Sequence, residues 1–91
     1  MKIIIVGDGK VGFALSESLS KEGHDITIID NRTDVLKKSV ESLDVIAIRG
    51  NGASSAVQKQ AGVADADLLI AATSMDEVNM ICCLVAKKLG A

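Results

Sequence analysis

Apolar and polar positions change period several times along the 91 residues. The run Ile3-Ile4-Ile5-Val6 is continuous and β-branched, the pattern of a strand covered on both faces. Over residues 10–22 the period becomes helical. Val11, Ala14, Leu15, Ser18 and Leu19 form an inward stripe, Glu17 and Lys21 face water, and Gly23 follows as a stop. A second strand is expected over residues 25–29, delivering Asp30 at its end. A second helix follows over residues 33–42, with Val35, Leu36, Val40 and Leu43 turned inward. Residues 44–48 read as a third strand, 54–61 as a short helix stopped by Gly62, and 66–72 as a fourth strand. Ser74 and Glu77 stand three apart in the manner of a capping box, opening a last helix that runs to Leu89 and is apolar nearly all round.

Strand and helix thus alternate four times. That order predicts one α/β domain over residues 1–91, a Rossmann-like parallel sheet with right-handed crossovers and helices on both faces. The expected strand order is 3-2-1-4, with a ligand crevice outside the carboxyl ends, between the first and fourth strands.

Composition narrows the partners. Apolar residues make up 48% and charged residues 24%, which fits a folded core rather than disorder. A net charge of −2 gives no general attraction to nucleic acid, and Phe13 is the lone aromatic, so base-stacking platforms are missing. No apolar run approaches the ~20 residues of a membrane span, and no signal peptide is visible. Cys82 and Cys83 are adjacent, a spacing that suits neither a disulfide framework nor one shared metal, so both are expected in a reduced core. His24 reads as an exposed turn residue with no acid–base set around it.

The candidate chemistry lies in Gly7-Asp8-Gly9-Lys10-Val11-Gly12, between the first strand and its helix. Gly7 permits a sharp turn, Gly9 lets the backbone approach a pyrophosphate, and Gly12 lets helix and strand pack closely. The first N–H groups of the helix and its positive dipole end then face an anion. Asp30 stands at the end of the next strand, about 20 residues on, where a carboxylate accepts hydrogen bonds from ribose hydroxyls. Its bland alternative is a turn and cap for the second helix. Arg32 sits where a guanidinium can meet a 2′-phosphate or the adenine face, and Asp30 disfavours the phosphate. Asn51, in Arg49-Gly50-Asn51-Gly52-Ala53, offers a donor and an acceptor to an adenine edge, or simply makes an Asn-Gly turn.

Taken together, the glycine run, Glu22-Gly23-His24-Asp25, Ile29-Asp30, Gly50-Asn51-Gly52-Ala53-Ser54, residues 60–67 (Gln-Ala-Gly-Val-Ala-Asp-Ala-Asp) and Asp76-Glu77-Val78-Asn79-Met80 carry a family resemblance. The whole chain resembles the N-terminal nucleotide-binding domain of bacterial Trk-type potassium-uptake regulators, the TrkA-N or RCK (KTN) family. The resemblance implies a cytoplasmic domain, peripheral to the inner face of the membrane through its partner. That domain binds NAD(H), or ATP or ADP, and controls a membrane potassium-translocating subunit. It implies that Gly7, Asp8, Gly9, Lys10, Val11 and Gly12 hold the phosphates, Asp30 the ribose and Asn51 the adenine, while Thr73 and Ser74 line the pyrophosphate or nicotinamide side. The family continues beyond a fourth βα unit, so residues 1–91 are expected to be the N-terminal part of such a domain. Phe13 stands where the family commonly has a polar or basic residue.

Two other readings compete with the regulatory one. The chain can be the cofactor half of an NAD-dependent oxidoreductase, although it lacks tyrosine and a placed histidine, so no enzyme activity is expected. It can also be an oligomerisation fragment without ligand affinity. An open fourth-strand edge over residues 68–72 and an apolar last helix, with Met80 and Leu84, predict a homodimer or higher oligomer.

Overall fold

The computed structural model describes all residues from Met1 to Ala91. Four strands, β1 (Lys2–Val6), β2 (Asp25–Asp30), β3 (Ile46–Arg49) and β4 (Leu68–Ala71), alternate with helices α1 (Lys10–Lys21), α2 (Thr33–Ser42), α3 (Ser55–Gln60) and α4 (Asp76–Lys88). All pairings are parallel and the sheet order is β3-β2-β1-β4, as the alternation predicted.

Strand β1 is central, and its side chains divide the core into two layers. Ile3 and Ile5 pack with Ile26, Ile28 and Leu36 on the face covered by α1 and α2. Ile4 and Val6 pack with Ile29, Ala61, Val63, Cys82 and Ala86 on the face covered by α3 and α4. Burial on both faces explains why β1 is unbroken by polar residues. Beyond the ladder the chain is still tied: Gly7 N–H donates to Ile29 at 2.8 Å, Ala72 N–H to Val6 at 2.8 Å and Gly50 N–H to Asp30 at 2.9 Å, each to a backbone carbonyl. These bonds bring three loops to one edge.

Several local expectations differ from what is observed. The buried stripe of α1 is Gly12 and Ser16 with Leu15 and Leu19 beside it; Val11, Ala14 and Ser18 are exposed. The cause is the close approach at Gly12, which fixes the helix rotation and places Ser16, four residues on, against the sheet. Ser16 satisfies its hydroxyl on the Gly12 carbonyl at 2.8 Å. In α2 the buried pair is Leu36 and Ser39, and Val40 points outward. Strand β3 begins two residues later than expected and takes in Arg49, β4 is shorter than the expected 66–72, and Val63–Asp65 form an unforeseen 3-10 turn after the left-handed Gly62.

The capping box at Ser74 does not form. Met75 precedes α4 without a side-chain cap, and Ser74 is exposed. Asn79 takes over the anchoring: its Oδ1 accepts from the Thr73 N–H at 3.0 Å and the Thr73 hydroxyl at 2.6 Å, and its Nδ2 donates back to the Thr73 carbonyl at 3.1 Å. Asp76 and Glu77 in the first turn and Lys87 and Lys88 in the last complement the helix dipole. Only Cys82 of the cysteine pair is in the core; Cys83 is exposed, because neighbouring helical positions diverge by about 100°. His24 is half-buried rather than exposed, with Nδ1 3.0 Å from the Met1 amino group.

Packing at the end of β1 depends on one absent side chain. A Cβ on Gly12 would drive into the Gly7 carbonyl, which is backbone and cannot rotate away. Gly12→Ala is therefore expected to destabilise the fold by about 3 kcal/mol or more, the upper range for overpacking, measured by urea unfolding. A variant within about 0.5 kcal/mol of the parent, the scatter of surface changes, would refute this contact.

Candidate functional site

The carboxyl edge of the sheet opens into a cleft of about 690 Å³, within the usual range for small-molecule sites. Gly7, Gly9, Lys10, Val11, Asp30, Asn51, Thr73 and Ser74 all line it, brought together from four separate loops. Arg32, Gly50, Gly52, Met75 and Val78 complete the wall. Two expected site residues do not reach the cleft. Gly12 lies beneath it, pressed on Gly7, and Asp8 is buried on the far side of the glycine loop. A second depression at the opposite edge, beside His24 and Asp44, has no glycine loop and no helix start.

Gly7 adopts a φ of 103°, a left-handed turn that a side chain would strain, and the chain then enters α1 at once. Gly9 precedes the helix and offers no side-chain cap. The first-turn N–H groups thus have no acceptor from within the helix, and Gly9, Lys10 and Val11 present that end to the cleft. Across from it, Asn51 is exposed on the rim. Its Oδ1 accepts from the Ala53 N–H at 2.9 Å, so it does make a local turn, and its Nδ2 stays available.

Asp30 is the charged centre of the site, only 7% exposed. Its Oδ2 accepts from the Asp8 N–H at 2.8 Å and Arg32 Nη2 at 2.9 Å. Its Oδ1 accepts from the Arg32 N–H at 2.9 Å and Nε at 3.0 Å. Burial alone would raise its pKa. Hydrogen bonds from the Arg32 side chain and from the Asp8 and Arg32 N–H groups reverse that and bring it down to about 2. Asp30 therefore organises the turn into α2 and lines the cleft at the same time.

Asp8 behaves oppositely. Its Oδ2 accepts from the Ser39 hydroxyl at 2.5 Å, while Oδ1 is buried with no partner. Burial pushes its pKa up; the Asp30 charge adds to this, and the Ser39 bond and Arg32 oppose it. Sequence patterning missed the Asp8–Ser39 pair because a serine in a helical stripe carries no sign of its partner. Met75 and Val78 were missed for a similar reason, being ordinary apolar residues beside a helix start.

With this geometry in view, comparison with known proteins is decisive. Residues 3–91 match the family described as the TrkA-N domain. The chain belongs to the TrkA-N domain family. Among curated proteins, this TrkA-N chain is 49% identical over 89 residues to the Trk system potassium uptake protein TrkA of Halomonas elongata, covering 98% of the chain and 20% of that protein. It is 46% identical to the TrkA of Haemophilus influenzae over 91% of the chain and 18% of that protein. The TrkA homolog of Archaeoglobus fulgidus is 45% identical over the whole chain and 20% of its own length. The chain thus spans about one fifth of the length of these relatives.

Solved structures agree on the fold. The Shewanella denitrificans Kef CTD in AMP-bound form superposes with a TM-score of 0.81 at 24% identity, over 97% of this chain and 52% of that one. The Bordetella bronchiseptica enzyme WbmG in complex with NAD gives 0.76 at 19% identity, over 98% and 34% respectively.

The two carboxylates give the TrkA-N chain a characteristic acid response. Asp30, with its folded pKa depressed, contributes stability that is complete above the ordinary value of 3.8 and is lost as pH falls to about 2, worth ~2 kcal/mol. Asp8, with its folded pKa raised, costs stability once ionised and returns it when protonated. Acidification from neutral pH should first raise the urea midpoint and then lower it below pH ~4. Asp8→Asn should lack the initial rise and keep the later fall. A variant that tracks the parent through both phases would contradict the assignment.

Proposed function

We propose that this chain is the nucleotide-binding regulatory domain of a Trk-type potassium uptake system, and that it takes NAD(H) through its adenosine half. ATP and ADP share that half and are the alternatives. One observation carries the reading: an uncapped helix start, a buried ionised Asp30 and the Asn51 rim face a single cleft at the carboxyl edge of the sheet. In it the N–H groups of Gly9 to Val11 would hold the phosphates, with Lys10 alongside. Asp30 would receive the ribose, Asn51 Nδ2 the adenine edge, and Thr73 and Ser74 the distal half of the ligand. Gly12 and Asp8 would act by shaping the loop.

A regulatory role is favoured over an oxidoreductase one. The charged side chains of the cleft are Lys10, Asp30 and Arg32, and its only hydroxyls are those of Thr73 and Ser74. His24 is at the opposite edge of the sheet. The cleft itself therefore holds no histidine or tyrosine to pass a proton in a hydride-transfer reaction. The curated relatives are named as potassium uptake proteins of the Trk system, which supports a role in potassium uptake. The partner would be a membrane potassium transporter or channel subunit, with the domain on its cytoplasmic side. No helix of the chain is long and apolar enough to cross a membrane.

Self-association is part of the proposal. Met80 and Leu84 are 66% and 65% exposed on α4, Ile81 and Cys83 lie beside them, and β4 is an edge strand. A homodimer or higher oligomer would cover this face.

Two measurements test these statements. Asp30→Ala should weaken NADH binding by roughly 1 to 3 kcal/mol, about tenfold to a hundredfold, in calorimetry. Asp30→Asn, which keeps the shape, should lose a comparable amount while circular dichroism reports a folded chain; unchanged affinity in either would remove the ribose assignment. Light scattering at micromolar concentration should find an oligomer that Leu84→Glu reduces to monomer. A clean wild-type monomer would reject the α4 interface.

A further inference from the structure

Arg32 stands where the ribose should go. The Asp30 carboxylate has about four acceptor positions, and all four are filled. Two of its donors are backbone N–H groups of Asp8 and Arg32, fixed by the loop. The other two are Nε and Nη2 of one guanidinium, a two-pronged pair in the arrangement a vicinal diol would also use. A ribose can reach this carboxylate only by replacing the guanidinium. The two partners are unequal in mobility: the Asp30 side chain is 5% exposed and held, and that of Arg32 is 54% exposed on a long flexible stem.

The guanidinium also has somewhere to go. Arg32 Nη2 lies 3.7 Å from the point where a Cβ on Gly9 would stand, so it already overhangs the second glycine of the loop. A phosphate at the start of α1 would sit within a short swing of it. The only other cation lining the cleft is Lys10, which is exposed. A neutral nucleoside that displaced Arg32 would leave its charge without a partner. A nucleotide would supply one, in the charge-assisted geometry that guanidinium and phosphate favour.

We propose that Arg32 is a specificity residue that changes partner: it holds Asp30 until a ribose replaces it, then pairs with the ligand's 5′-phosphate, so the cleft selects nucleotides over nucleosides. This rests on the adenine-nucleotide reading above and adds to it a ligand class and a displacement step. Binding is an exchange of one ion pair for another. Because the Asp30–Arg32 pair is partly exposed, salt weakens it, and a neutral ligand that must break it binds better as ionic strength rises.

The experiment is calorimetry of the full chain with two probes, adenosine and AMP, on the wild type, Arg32→Gln and Arg32→Lys. The two probes should respond with opposite sign. In Arg32→Gln adenosine should tighten and AMP should weaken, and the preference for AMP should fall by about tenfold or more. Arg32→Lys keeps the charge without the two-pronged geometry, so adenosine should tighten while most of the AMP preference remains. Raising KCl from about 20 to 200 mM should tighten adenosine binding to wild type and leave Arg32→Gln unaffected. Weaker adenosine binding in Arg32→Gln would mean that Arg32 stacks on the base, and equal shifts for both probes would mean that it only shapes the site; either result overturns the proposal. The Arg32 N–H bond to Asp30 does not use the side chain, so the variants should fold; if Arg32→Gln does not, the adenosine result with Arg32→Lys decides. A folded wild type that binds neither AMP nor NADH would fail the nucleotide reading itself, and this exchange with it. Binding of AMP and NADH with no change on substitution fails the exchange alone.

Discussion

The contact between Gly12 and the Gly7 carbonyl sets the geometry on which the rest of the site depends. With no side chain between them, α1 reaches the end of β1 closely enough to begin at the turn itself. Its unpaired N–H groups then emerge at the carboxyl edge of the sheet, and not some distance along a connecting loop. The same contact fixes the rotation of α1. Ser16 is carried inward to bond the Gly12 carbonyl, and Val11 is turned out to the cleft rim. The open helix start at this edge is thus a consequence of backbone packing. Side chains from the other loops line the cleft around it.

Electrostatics supplies the second layer. Asp30 joins three elements at one point: the end of β2 that bears it, the glycine loop through the Asp8 N–H, and the entry to α2 through Arg32. Two carboxylates share one guanidinium here, so they cannot be equally comfortable. Asp30 takes the arginine and is held ionised, and Asp8 is left with Ser39 and a buried, unpartnered oxygen. Burial raises the pKa of Asp8, and for Asp30 the hydrogen bonds from Arg32 and the Asp8 N–H outweigh burial, so neighbouring carboxylates shift in opposite directions. The arrangement keeps Asp30 ionised without help from a ligand. Any ligand that reached its carboxylate would have to rearrange an ion pair already in place.

The strand order and the location of the cleft were legible because they follow from long-range regularities. Four apolar runs at strand length, separated by helical periods, leave few topologies, and the glycine spacing with Asp30 at the second strand end marks the edge. What was not legible was rotation and partnership. Val40 and Ser39 are neighbours in sequence, and a hydropathy rule chooses the valine for the interior; the choice is reversed by a hydrogen bond to Asp8, 31 residues away. The capping box failed in the same way. Ser74 and Glu77 have the right spacing, but Asn79 already satisfies Thr73 through three hydrogen bonds and draws the chain into a different turn. Arg32 was seen as a cleft residue, yet its pairing with Asp30 required coordinates, since a sequence does not say which of two roles a guanidinium takes.

The cleft rim and the exposed helix are joined more tightly than their separation suggests. Gln58, fully buried on α3, donates one amide hydrogen to the Gly52 carbonyl at 2.8 Å and the other to the Cys82 carbonyl at 3.0 Å. Gly52 belongs to the rim beside Asn51, and Cys82 to the inner face of α4, whose outer face carries Met80 and Leu84. Moving either element alone would leave an amide hydrogen without an acceptor in a place water does not reach, at about 1 to 3 kcal/mol. Gly52 packs directly on Val6 of the core, with no room for a side chain. Gln58 thus couples the rim to the buried side of α4 through two hydrogen bonds. A ligand on Asn51 and a partner on α4, as proposed above, would press on opposite sides of this link.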